Sequence, residues 1–150
     1  MRKNIRIRTA GFCLNEKNEL LLVNHVKKGR SYWLLPGGGE EFGETVPAAL
    51  KREFMEEVSL KIKKIHNLVF MHDTVYPGGE RHILNVYFRV ELFKNSRPKV
   101  NREGVLKGSE YVSREKFRKI LFYPDMKNAI LNEWKRGFKK NLGYVYTKFK

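Results

Sequence analysis

Three glutamates, Glu53, Glu56 and Glu57, stand at i, i+3 and i+4 in a stretch whose apolar residues recur at helical spacing. At about 100° per residue they occupy roughly a third of a helix's circumference, so all three carboxylates can face one point. Hard oxygen donors crowded in this way suit Mg²⁺ or Mn²⁺, and such an ion in turn binds phosphate oxygens. A solvated acidic face has the same spacing, so three glutamates alone do not separate the two readings. The charge pattern adds weight. The chain carries 31 Lys and Arg against 16 Asp and Glu, a net +15, and a domain that basic usually meets phosphate. Residues 1–36, 61–113 and 114–150 are each net positive, at +6, +5 and +8, whereas residues 37–60 carry −4. One acidic island in a basic chain needs something positive among its carboxylates, and a metal ion is one such thing.

A longer pattern surrounds the glutamates. Gly38 is followed after five residues by Glu44, and Glu44 after seven by Arg52-Glu53; Phe54, Glu56-Glu57, Ser59 and Leu60 complete the run. This resembles the signature of the Nudix hydrolases, in which Gly, five residues, Glu, seven residues, Arg-Glu, an apolar residue, one residue, Glu-Glu, one residue, Gly and an apolar residue follow in order. Eight of the nine constrained positions match. Six fixed residues at these offsets arise by chance about once in 10⁷ positions. Trp33-Leu34-Leu35-Pro36-Gly37-Gly38 resembles the family's lead-in, and Ser109 to Glu115 its late short strand and helix start. The resemblance implies an α/β fold, an α/β/α sandwich around a mixed β-sheet, filling residues 1–150 as one domain. It implies hydrolysis of a diphosphate bond in a nucleoside diphosphate linked to another group, with Mg²⁺ or Mn²⁺ as cofactor. Glu53, Glu56, Glu57 and the Gly38 carbonyl would hold the cation, Arg52 would hold Glu53, and Glu44 would support the loop and helix. The general base in this family is a helix glutamate or one from a later loop, and Glu103 stands where such a loop residue is expected. The departure is Ser59, where the family has glycine just past the helix; a left-handed backbone there costs another residue roughly 1 kcal/mol.

Several elements must position these groups. Thr45 to Val58 predicts the central helix, with Thr45 as N-cap, Pro47 in the first turn and Val46, Leu50, Phe54 and Val58 as a buried stripe. Residues 5–15 and 19–26 predict two strands joined as an opening hairpin across the Asn15–Asn18 turn. Lys27 to Ser31 predicts a polar loop, and Pro36 to Gly39 a stop for any regular element. Leu60 to Asp73 and Arg81 to Leu92 predict long strands around a Tyr76–Gly79 turn. Ser109 to Val112 predicts a short strand, Ser113 to Leu121 and Pro124 to Phe138 two helices, and Asn141 to Lys150 a strand or a loose end.

Composition narrows the setting. At 41% hydrophobic the chain can build a core, and its longest aliphatic run, Leu20 to Val23, is far short of the roughly 20 residues that cross a bilayer. No secretory leader is expected behind Met1–Arg6, and a lone, buried Cys13 fits a reducing, cytoplasmic setting. His25, His66, His72 and His82 lack ligand spacing with one another or with Cys13. Trp33, Phe70 and Tyr76 are candidates to stack on a nucleobase or to join the core. The expected partner is a small-molecule nucleotide, without a membrane; monomer and homodimer stay open. The +15 charge keeps an RNA 5′ end as an alternative substrate, and a non-catalytic nucleotide- or nucleic-acid-binding module is the reading from another class.

Overall fold

The alternation of Ile5, Arg6, Ile7 and Arg8 becomes strand β1 (Ile5–Phe12) of a computed structural model that describes residues 3–99, 106–141 and 143–148. The chain continues through β2 (Leu20–Lys27), β3 (Arg30–Leu34), β4 (Gly37–Gly39), α1 (Val46–Val58), β5 (Ile62–Val75) and β6 (His82–Leu92). It ends with β7 (Leu106–Val112), α2 (Arg114–Lys119), α3 (Lys127–Trp134) and β8 (Tyr144–Lys148). Five strands form one mixed sheet in the order β4-β1-β6-β5-β8, with β1–β6 and β5–β8 parallel and the other pairs antiparallel. Three form a second, antiparallel sheet, β3-β2-β7.

The expected opening hairpin is not what forms. β1 pairs in parallel with β6, from Ile5 opposite His82 to Phe12 opposite Arg89, while β2 lies between β3 and β7 in the other sheet. A single bridge, Leu14 to Leu20, and the bond from Leu21 N–H to the Cys13 carbonyl (2.9 Å) tie the two together. Both strands need a partner along each edge, and a local alternation pattern cannot say that those partners lie far along the chain. The loop expected over Lys27–Ser31 is instead a tight hairpin, with left-handed Lys28 (φ 51°) and Gly29 (φ 74°) joining β2 to β3. The glycine run expected to stop regular structure is β4, paired with Arg8 to Ala10 of β1. α2 and α3 are shorter than the expected helices, bounded by Ser113 and Ile120 and by Met126 and Lys135.

Two apolar clusters cover opposite faces. One joins Ala10, Phe12, Leu20, Leu22, Phe70 and Tyr87 to Phe117 of α2 and Ile130 and Trp134 of α3. The other joins Leu21, Val23, Ile62 and Val90 to Leu50, Phe54 and Val58 of α1. Successive β2 residues fall into alternate clusters, as period-2 geometry requires of a strand buried on both sides. Cys13 is buried at 2% exposure, and among the described residues no helix is long and apolar enough to cross a membrane.

The central helix forms where its stripe predicts. The Thr45 hydroxyl accepts from Ala48 N–H (3.2 Å), satisfying one of the first-turn donors. At the far end Ser59 adopts φ 57°, ψ 36°; its N–H donates to the Met55 carbonyl (3.1 Å) and Leu60 N–H to that of Phe54 (3.3 Å). A serine thus holds the left-handed position that glycine fills without steric cost. Ser59→Gly is expected to stabilise the protein by several tenths to about 1 kcal/mol, read as a rise in the midpoint of thermal or urea unfolding. A lowered midpoint would mean that the exposed Ser59 side chain contributes more than its backbone strain removes.

Candidate active site

α1 delivers its polar face to the edge strand β4. Arg52 organises the junction with all five of its N–H donors. Nε donates to Glu44 (2.7 Å), and Nη2 to Glu44 (3.0 Å) and to the Gly39 carbonyl (2.9 Å). Nη1 donates to Glu53 (2.8 Å) and Glu56 (3.2 Å). The planar fork of arginine can reach this many acceptors at once. Glu44 is anchored further by Glu41 N–H (3.0 Å), and the Arg52 bonds, then that backbone bond, hold its carboxyl down at about 2. Glu44 therefore stays ionised and braces the β4–α1 loop against the helix.

Glu53 lies against the bare Cα of Gly38, where any methyl group would overlap its carboxylate. A side chain at that position would push the Glu53 carboxylate out of its place. Glu57 turns inward and accepts from Gly37 N–H (3.1 Å). Burial pushes its carboxyl up to about 7, against the opposing pull of Arg8 and the Gly37 N–H; neighbouring Glu53 adds to the rise. The three glutamates thus share a side of α1 but take different partners. Among the described residues no group of three or more His, Cys, Asp or Glu is arranged around one metal position, because Arg52 draws Glu53 and Glu56 to itself. The donor set nonetheless fits a divalent cation. Its oxygens are hard, Gly38 backbone and the Glu53 carboxylate are in contact, and the half-buried Glu57 carboxyl stands in surroundings that disfavour its charge.

Beside these groups opens a cleft of about 1130 Å³, bordered by Gly37 to Gly39, Glu53 and Glu57. Its other walls carry Arg6, Arg8, Lys27, Lys28, Arg30, Arg81 and Lys127, against the single further carboxylate of Asp125. Sequence reasoning placed the densest cationic cluster after residue 113, yet of that segment's described basic residues only Lys127 lines the cleft. The others come from β1, the β2–β3 hairpin and the residue before β6. Alternation in Ile5–Arg8 signalled a strand; that its arginines face a cleft depends on β6 lying alongside. Of the stacking candidates, Tyr76 lines the cleft, Phe70 is in the core at 1% exposure, and Trp33 packs partly buried against the same cluster. His66 bonds Glu91 (3.4 Å) and His82 bonds Asp73 (2.7 Å). Glu103 lies outside the described residues.

Comparison with known proteins follows the same lines. The NUDIX domain family model matches residues 5–132. Over 61 residues the chain is 39% identical to 8-oxo-dGDP phosphatase NUDT18 of Mus musculus, covering 40% of this chain and 19% of that protein. Over 53 residues it is 36% identical to the RNA pyrophosphohydrolase of Orientia tsutsugamushi (strain Boryong), covering 35% of this chain and 33% of that one. These matches span about a fifth and a third of the relatives' own lengths. The fold matches the MutT protein from Methanosarcina mazei Go1 with a TM-score of 0.73 at 20% identity, over 93% of this chain and 99% of that one. It matches the MutT NUDIX hydrolase from Burkholderia pseudomallei with a TM-score of 0.70 at 18% identity, over 87% and 98%. With the family's model matched along most of its length and its fold shared with MutT proteins, this chain belongs to the NUDIX family of hydrolases.

Proposed function

We propose that the chain hydrolyses a diphosphate bond in a small nucleotide: a nucleoside triphosphate, an ADP-ribose-like sugar or a dinucleoside polyphosphate, with Mg²⁺ or Mn²⁺. The observation that carries this reading is the junction of a cation-lined cleft with a carboxylate-rich loop and helix. Phosphate oxygens suit the first, and a divalent ion the second. Relatives named for phosphatase and pyrophosphohydrolase activity support it. Glu53, Glu56, Glu57 and the Gly38 carbonyl would hold the cation, which when bound neutralises phosphate oxygens and lowers the pKa of bound water. Arg52 spends its donors on protein acceptors, so it and Glu44 position the ligands and leave phosphate to the cleft's other cations. The general base is Glu103 or a helix glutamate, and Glu103→Gln decides between them: a loss of kcat well beyond threefold gives the role to Glu103, and a smaller change reduces it to a loop residue. The primary experiment is a nucleotide panel assayed for phosphate and nucleoside monophosphate with and without Mg²⁺. Metal-dependent release from at least one nucleotide is expected, and a panel wholly inert under both conditions would overturn the reading.

The cationic hairpin Lys27-Lys28-Gly29-Arg30 at the cleft favours a second substrate, the 5′ end of an RNA. Single-strand binding loses affinity with a log–log salt slope of about −0.7 per phosphate contact, so four or five contacts give about −3. A small nucleotide should show a much shallower dependence of kcat/KM on salt at fixed Mg²⁺, and that is the expected result. A steep slope with higher efficiency on triphosphorylated RNA would reverse the choice.

A further inference from the structure

Strand register lays out the floor of the cleft row by row. Ala10, Tyr87 and Phe70 stand opposite one another on β1, β6 and β5 and belong to the core. Two residues along each strand, on the same face, the next row is Gly39, Arg8, Asn85 and His72. The row after that is Arg6, Ile83 and Thr74. The central sheet therefore changes from apolar core to polar floor within one step, and Asn85 is at the centre of the change.

Asn85 is 4% exposed, yet it lines the cleft. Its Nδ2 donates to the His72 carbonyl and to Thr74 Oγ1, both at 3.4 Å, and Thr74 Oγ1 is in turn 3.3 Å from His72 Nδ1. Those contacts orient the amide, and Oδ1, which accepts no hydrogen bond from the described residues and is not sealed from solvent, opens to the cleft. An amide on a central strand at the floor of the cleft offers that accessible oxygen as an acceptor to a group that enters. Asn85 is two strand spacings from Gly39, roughly 10 Å across the sheet, a separation that ribose and base can span from a phosphate held beside Gly38. The wall facing the floor carries a row of rings, with His25 to Tyr32 at 5.5 Å and Tyr32 to Tyr123 at 5.4 Å between centroids. His25 Nε2 there is buried without a partner. Burial, then the charge of Arg8, lowers the pKa of His25, so this ring is uncharged at pH 7.

The geometry points to Asn85 as the residue that reads the nucleobase: its Oδ1 accepts an N–H from the base edge, with Thr74 and His72 holding the amide in place. The ligand class is a nucleotide whose base presents an N–H donor, in preference to a diphosphate compound without a base. This rests on the nucleotide reading proposed above, and binding without chemistry separates the two. Nucleoside 5′-monophosphates, purine riboside 5′-monophosphate (the same ring system with no N–H donor) and ribose 5-phosphate are titrated by calorimetry in metal-free buffer. Wild type is expected to bind at least one base with an N–H donor about tenfold more tightly than the purine riboside compound. Asn85→Leu should shrink that ratio to within about threefold and leave ribose 5-phosphate affinity unchanged. Thr74→Val, which removes an acceptor of the orienting bonds, should lower the ratio by about threefold, and it serves alone if Asn85→Leu fails to fold. Equal binding of all the monophosphates by wild type, or full discrimination in both variants, overturns the assignment. Discrimination that depends on Asn85 in a protein that hydrolyses none of the nucleotide panel supports the base site and removes only the hydrolase reading.

Discussion

Glu57→Gln is expected to lower kcat on the best nucleotide by at least about 10²-fold, through loss of one proposed ligand to the divalent cation. Glutamine is nearly isosteric and can still accept from Gly37 N–H, so the loop and helix keep their contact. What disappears is a half-buried negative charge. At pH 8, above both the ordinary carboxylate range and the value of about 7 that burial imposes, wild-type Glu57 is mostly ionised in a site that disfavours ionisation. The variant should therefore be at least as stable as wild type in metal-free buffer, while Mg²⁺ raises its unfolding midpoint less than it raises that of wild type. Loss of activity with stability retained is the signature of a ligand. Near-full turnover would remove Glu57 from the site, and a folded state less stable at pH 8 would make it a structural carboxylate.

Much of this site was legible before any coordinates. Fixed offsets from Gly38 to Leu60 span one loop and one helix, so the resemblance to the family's signature could name Glu44, Arg52, Glu53 and Gly38 as one group, and local chain geometry brings them together. The left-handed Ser59 followed in the same way, as the position just past a helix whose stripe ends at Val58. Two things were not legible. The partner of each carboxylate depends on which acceptors Arg52 reaches, and Gly39 lies thirteen residues from it. The cleft depends on β1 lying parallel to β6, some 75 residues apart, so the roles of Arg6, Arg8 and Asn85 have no local signal. Alternation shows that Arg8 and Ile7 face opposite ways; it does not show which face meets solvent, core or ligand. The opening hairpin fails for the same reason, since a turn predicts that strands can meet, while the edge partners each strand takes, β4 and β6 for β1 and β3 and β7 for β2, are not set by that turn.

Arg52→Lys is expected to reduce kcat by about 10–100-fold with little change in KM, the range for residues that orient metal ligands. Lysine keeps the charge but offers three donors from one nitrogen, in place of five held in a plane. It can satisfy part of the set of Glu44, Glu53, Glu56 and the Gly39 carbonyl, never all of it. Glu44 and Gly39 belong to the loop, Glu53 and Glu56 to the helix, so the lysine must favour one side and the β4–α1 junction loosens. If Arg52 instead gripped substrate phosphate, the loss would fall mainly on KM and would grow with the number of phosphates across the panel. The positioning role predicts the opposite: an equal proportional loss for every nucleotide, and a higher Mg²⁺ concentration for half-maximal rate because Glu53 is no longer held in one orientation. A double variant of Arg52→Lys with Glu44→Gln separates the two sides of the junction. When both residues act through the same strut, the second substitution adds less than its effect alone. Fully additive losses would mean that Glu44 and Arg52 contribute independently, and a KM-dominated loss would move Arg52 from the frame of the site into its phosphate-binding wall.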